Sequence, residues 1–146
     1  MPDSHELSQD ECAELLCAGV AGRIALSSPT GPYIIPVNYS VVDDAIIVRT
    51  SPYSLRGTYG RDTTLAFEID HFDYPNQRGW SVLARGRGEV ISDRDDLEHI
   101  ESVWPPKSWA AGVRSLFIRL CWSELTGRRL GDGGDPMREL PVRRVV

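Results

Sequence analysis

From Gly22 onward the chain is a succession of short runs rich in β-branched and apolar residues, each closed by a turn signal, and this rhythm is compatible with few folds. The runs are Arg23 to Ser27, Tyr33 to Val42, Ala45 to Thr50 and Thr64 to Asp70. Ser28-Pro29-Thr30-Gly31-Pro32 and Asp43-Asp44 have the length and composition of hairpin connections, so the first three runs are expected to be antiparallel neighbours. In Leu65-Ala66-Phe67-Glu68-Ile69-Asp70, Leu, Phe and Ile face one way and Glu and Asp the other, the pattern of a strand with one face in a core. A longer strand is expected over Trp80 to Ile91. Gly86 and Gly88 interrupt its alternation, a sign of the bulge or bend that closes a barrel, with Arg85 and Arg87 on the face opposite the glycines. A last strand begins at Leu116 and leads into Thr126-Gly127-Arg128-Arg129-Leu130.

Helices are few. Ser8-Gln9-Asp10-Glu11 is a capping-box pattern with Leu7 and Cys12 placed as a hydrophobic staple, predicting a helix from Gln9 that stops before Gly19. Ser92-Asp93 opens a second helix through about Val103, with Leu97, Ile100 and Trp104 on one side, and Pro105-Pro106 ends it. A short helix or helical turn is expected over Tyr53 to Arg61. The fold class is therefore mainly β: a six-stranded antiparallel barrel with peripheral helices, spanning residues 1–130 as one domain. Residues 131–146 begin Gly131-Asp132-Gly133-Gly134-Asp135-Pro136 and are expected to form a flexible C-terminal tail.

The net charge of −5 argues against a nucleic-acid partner, whose footprint is a basic excess or a strongly basic face. Lys107 is the one lysine among 16 basic residues, a bias that a genome rich in G and C explains for most of the arginines. Cys12, Cys17 and Cys121 form no CxxC pair, and their odd number speaks against a disulfide framework. The N-terminus is polar, and no apolar run approaches the roughly eighteen residues of a membrane span, so a soluble cytoplasmic protein is expected. His5, His71 and His99 are scattered and gather no metal shell, and His71 is expected in a loop at a strand end.

The segment most suggestive of chemistry is Ile46-Ile47-Val48-Arg49-Thr50-Ser51-Pro52-Tyr53-Ser54-Leu55-Arg56. An apolar run ends in an arginine and enters a hydroxyl-rich turn carrying another. Arginine presents a rigid fork of donors that matches phosphate oxygens, and hydroxyl and backbone N–H groups can complete the shell. A solvated strand end with arginines paired to nearby carboxylates would give the same letters.

Gly22-Arg23-Ile24-Ala25-Leu26, Pro36-Val37-Asn38-Tyr39, Ile47-Val48-Arg49-Thr50, Ala66-Phe67-Glu68-Ile69-Asp70, Gly79-Trp80-Ser81-Val82 and Thr126-Gly127-Arg128 follow one another in an order that resembles the pyridoxamine 5′-phosphate oxidase-like, FMN-binding split-barrel family. The resemblance implies a homodimer with FMN in a groove between subunits and a small-molecule substrate of unknown identity. It implies that Pro36, Val37 and Asn38 border the isoalloxazine ring, that Arg49, Thr50 and Ser54, with Arg56 nearby, hold the phosphate, and that Trp80 and Ser81 sit against the ring edge. A barrel-core role for Trp80 fits the alternation equally well. Arg128 is a further candidate for cofactor contact. The chain departs from the family at Leu55, where a lysine commonly reaches the phosphate. Two classes of function follow: a flavin-dependent oxidoreductase, or a non-catalytic binder of flavin, deazaflavin or haem, including a structural dimer that has lost its cofactor.

Overall fold

The structure, a computed structural model, describes residues 4–50, 54, 58–104 and 116–131. Its elements in chain order are β1 (Ser4–Glu6), α1 (Gln9–Ala18), β2 (Ala21–Ser28), β3 (Gly31–Val42), β4 (Ala45–Thr50), β5 (Thr63–Asp73), β6 (Arg78–Val90), α2 (Arg94–Val103) and β7 (Leu116–Leu130). Arg56 and the expected tail beyond Gly131 lie outside the described residues, as does much of the expected helix over Tyr53 to Arg61. Of that segment, the Thr58 N–H donates to the Ser54 carbonyl at 3.0 Å.

Hairpins set the local order. Asp43 and Asp44 take φ of 51° and 59°, the left-handed pair that matches strand twist in a two-residue turn, and so join β3 to β4. The strands hydrogen-bond in the order β1-β7-β4-β3-β2-β5-β6, and β6 pairs back onto β7. Six strands thus close a ring, as the sequence predicts, and β1 adds to the edge of β7. The predicted bulge is present: the β6–β7 register shifts between Arg85 and Gly86, so that Arg85 faces Glu124 while Gly86 faces Trp122. Gly86 must be glycine for room, since a Cβ there would lie 2.1 Å from the Cys121 carbonyl oxygen.

The ring is parted on one side. β3 pairs with β2 over Gly31 to Asn38 but with β4 over Tyr39 to Val42, changing neighbours midway. β7 likewise meets β4 over Leu116 to Leu120 and β1 over Arg128 to Leu130. Helix α1 fills the parting. Its capping box forms with both reciprocal hydrogen bonds, and Cys12, Leu15 and Leu16 enter the barrel core beside Ile24, Val48, Phe67 and Leu120. Each fully buried leucine contributes roughly 1.5–3 kcal/mol. Polar ties hold the plug in place: the Leu7 N–H donates to the Gly127 carbonyl at 2.9 Å, Gln9 Nε2 to the Leu125 carbonyl at 2.5 Å, and the Tyr39 hydroxyl to the Leu16 carbonyl at 2.6 Å.

Outside the barrel, α2 packs Ile100, with Leu97 and Trp104, onto a second apolar cluster of Val42, Ala45, Ile47, Ile91 and Phe117. β4 is consequently buried on both faces, which explains its unbroken apolar run. No described helix is long and apolar enough to cross a membrane.

Two expectations are corrected. A seventh strand exists, because Ser4–Glu6 pairs with the end of β7; three polar residues carry no alternation, and this strand forms only through its partner. His71 lies within β5 opposite Trp80, not in a loop, because β5 and β6 stay paired through Asp73 and Arg78.

Candidate functional site

β4 ends where β3 has left it, so its last residues stand at the parting of the barrel. Strand alternation sends Arg49 and Thr50 to opposite faces. Arg49 lies on the outer face with Ala45 and Ile47, directly across from Phe117. Its guanidinium carbon sits 5.5 Å from the Trp104 ring centre and 5.6 Å from that of Phe117, within reach of cation–π attraction to both. The Arg49 Nε is buried without a hydrogen-bond partner, and among the described residues Arg49 makes no ion pair. Thr50, 5% exposed, faces inward, and its Oγ1 lies 2.6 Å from Ser54 Oγ. A guanidinium without a counter-charge among the described residues and a hydroxyl pair therefore flank one strand end.

The three β3 residues expected around the ring divide in the same way. Pro36 and Asn38 are exposed on the outer face, opposite Arg23 and Ala21, while Val37 points into the core. Ser81 is half-buried on the outer face of β6, across from Asp70 on one side and Arg128 on the other. Arg128 donates to Ser4 Oγ at 3.0 Å. Trp80 belongs to the barrel core at 2% exposure, on the face opposite Ser81, and its indole N–H has no acceptor among the described residues. Pro36, Asn38, Ser81 and Arg128 thus share the outer face, Arg49, Thr50 and Ser54 gather at the end of β4, and Val37 and Trp80 lie inside.

An ion cluster that sequence reading missed occupies the middle of that outer face. Arg23 Nη2 bonds Glu68 Oε1 at 2.5 Å and also reaches Asp70 Oδ2. Burial, reinforced by the neighbouring Asp70, pushes the Glu68 carboxyl above its ordinary value, against the opposing pull of Arg23. The hydrogen bond that Arg23 donates to Asp70 is the main cause raising the Arg23 guanidinium. The signal available in the sequence was the Glu68-x-Asp70 alternation, which places both acids on one face; the register of β2 against β5 supplies Arg23. On this face Ile34 is 71% and Leu83 38% exposed, among polar neighbours that include Asn38, Ser81 and the Arg85–Glu124 pair. Trp104 and Phe117, the partners of Arg49, were also missed, because they come from elements far apart in the chain.

The comparisons with known proteins agree with this architecture. An uncharacterized protein of Mycobacterium tuberculosis, Rv0080, is 30% identical over 130 residues, covering 86% of this chain and 84% of that protein. The solved structure of the FAD binding protein from Mycobacterium smegmatis superposes with a TM-score of 0.78 at 28% identity, over 88% of this chain and 100% of that one. A putative pyridoxamine 5′-phosphate oxidase from Corynebacterium glutamicum shares the fold at a TM-score of 0.71 and 24% identity, over 90% of this chain and 96% of that one. The family model for pyridoxamine 5′-phosphate oxidase matches residues 8–129, from the α1 cap to the end of the barrel, and the chain belongs to that family.

Proposed function

We propose that this protein binds a flavin by its phosphate at the end of β4 and works as a flavin-dependent oxidoreductase, as a homodimer with the site at the subunit interface. The observation that carries this reading is Arg49: a guanidinium held between two aromatic rings, with a buried donor lacking an acceptor among the described residues, beside the Thr50–Ser54 hydroxyl pair. Aromatic faces hold a cation without neutralising it, so its field remains available to an anion. The FAD named for the Mycobacterium smegmatis protein supports a flavin, and the sequence resemblance favours FMN.

In this reading Arg49 supplies charge and forked donors to the phosphate, with hydroxyl donors from Thr50 and Ser54. Pro36, Asn38 and Ser81, on the uncovered outer face, border the ring, and Arg128 stands across from Ser81. A bound flavin supplies hydride and electron transfer through its own ring electronics. The protein's part is to position substrate and exclude water, and the second copy supplies the wall that this open face lacks. The exposed Ile34, Pro36 and Leu83 offer that copy an apolar surface. Three free cysteines fit a reducing, cytoplasmic setting.

The test is the absorbance spectrum of the purified protein before and after addition of FMN or FAD, with the cofactor released by heat and identified by chromatography. A flavin spectrum that NAD(P)H bleaches anaerobically is the expected result. Failure to bind either flavin refutes the reading. Leu55 favours the second reading, a non-catalytic binder, for which binding without turnover is the mark.

A further inference from the structure

The geometry points to Trp104 as a positioning residue for the cofactor phosphate, acting through Arg49; the inference rests on the flavin reading above. Arg49 has a long side chain with about 2 kcal/mol of rotamer entropy, and a phosphate site is effective only if that freedom has already been removed. Carboxylates commonly do this, but they also cancel the charge. The carboxylates on this side of the barrel, Glu89 of β6 and Asp96 of α2, are engaged elsewhere, each 3.2 Å from the Arg119 guanidinium. Arg49 is instead held by rings.

Phe117 sits directly across from it on β7, and the Trp104 ring is set edge-on to Phe117 at 63° with centres 6.4 Å apart. The two rings form an angled seat into which the guanidinium fits. Trp104 is in turn fixed by the helix that carries it. Its backbone N–H donates to the Ile100 carbonyl at 2.8 Å at the C-cap of α2, and Ile100 is buried against the barrel. The path from α2 to the phosphate therefore runs through one indole, and α2, otherwise a cover for β4 and β7, becomes part of the cofactor site.

The experiment measures FMN, FAD and riboflavin affinity by flavin fluorescence quenching in the full-length wild type, W104L, W104F, R49M and the R49M/W104L double variant. If Trp104 positions Arg49, W104L weakens the phosphorylated flavins by about five- to tenfold, the scale of a partly desolvated cation–π contact. Riboflavin, which has no phosphate, is unaffected; W104F retains most of the affinity; and in the R49M background W104L has no further effect. Unchanged FMN and FAD affinity in W104L, an equal loss for riboflavin, or full additivity in the double variant overturns the assignment while wild-type binding leaves the flavin reading intact. A wild type that binds no flavin overturns both. Thermal melting of W104L beside W104F, which keeps a ring at the site, separates loss of positioning from loss of fold.

Discussion

The packing of α1 into the parted barrel can be tested at one contact, Gly19 against Tyr39. Gly19 has φ of −82° and ψ of 169°, a conformation open to any residue, so its lack of a side chain serves space alone. A Cβ at Gly19 would lie 2.2 Å from the Tyr39 hydroxyl oxygen and 3.2 Å from the ring carbon bearing it. Gly19→Ala therefore forces either the ring or the end of α1 to move, and neither moves freely. Tyr39 is fully buried, edge-on to Phe67 at 4.7 Å, and its hydroxyl donates to the Leu16 carbonyl. Overpacking of this kind costs about 2–3 kcal/mol. Tyr39→Phe removes the clashing oxygen together with its hydrogen bond. The Leu16 carbonyl keeps the Gly19 N–H as a donor at 3.3 Å, so the loss stays near 1 kcal/mol. In the double variant the new methyl meets two ring carbons, at 3.2 and 3.5 Å, and alanine also reduces unfolded-state entropy by about 0.4–1 kcal/mol. The double variant is thus expected to be no less stable than Tyr39→Phe alone, a coupling of about 2 kcal/mol measured by urea denaturation of all four proteins. Additive losses would show that the hydroxyl does not set the space at Gly19, and would refute this account of how α1 seats.

Two further perturbations probe the barrel itself. Gly86→Ala places a Cβ against three backbone atoms of Cys121 and Trp122, which cannot rotate away, so urea denaturation should register a loss of about 3 kcal/mol, and a loss below about 1 would show that the bulge yields. Glu68→Gln tests the ion cluster: because the folded carboxyl titrates above its ordinary value of 4.5, Glu68 contributes fully below that pH and loses its contribution as pH rises through the raised value. The variant should therefore gain on the wild type as the pH of a melting series rises past that range, and parallel curves would rule out the raised carboxyl.

Period and turn chemistry carried most of the fold. The capping box at Ser8, the Asp43-Asp44 hairpin and the acidic alternation of β5 are local signals, and each forms where the residues place it. What escaped was tertiary in origin. β1 has only polar side chains and exists because the edge of β7 is free to receive it. Beyond the bulge, β7 reverses its parity, so Leu125 and Gly127 face inward where continued alternation from Leu116 would turn them out. Arg23 joins Glu68 and Asp70 through a register that no single strand encodes.

Arg49 and Thr50 show why the candidate site was only half legible. The letters Arg-Thr at a strand end suggest two donors for one anion, yet the alternation that identifies the strand also sends their side chains to opposite faces. They can serve one ligand only beyond the last pairing, where β3 has already turned to β2 and the inner and outer faces of the sheet meet at its end. That condition belongs to the strand order. So does the seat of Arg49: Phe117 reaches it across β7, and Trp104 reaches it because α2 covers the outer side of β4. The sequence names the cation. The fold decides that it lies against aromatic rings while Glu89 and Asp96 pair with Arg119, and this arrangement is the ground on which Arg49 is proposed to receive an anion.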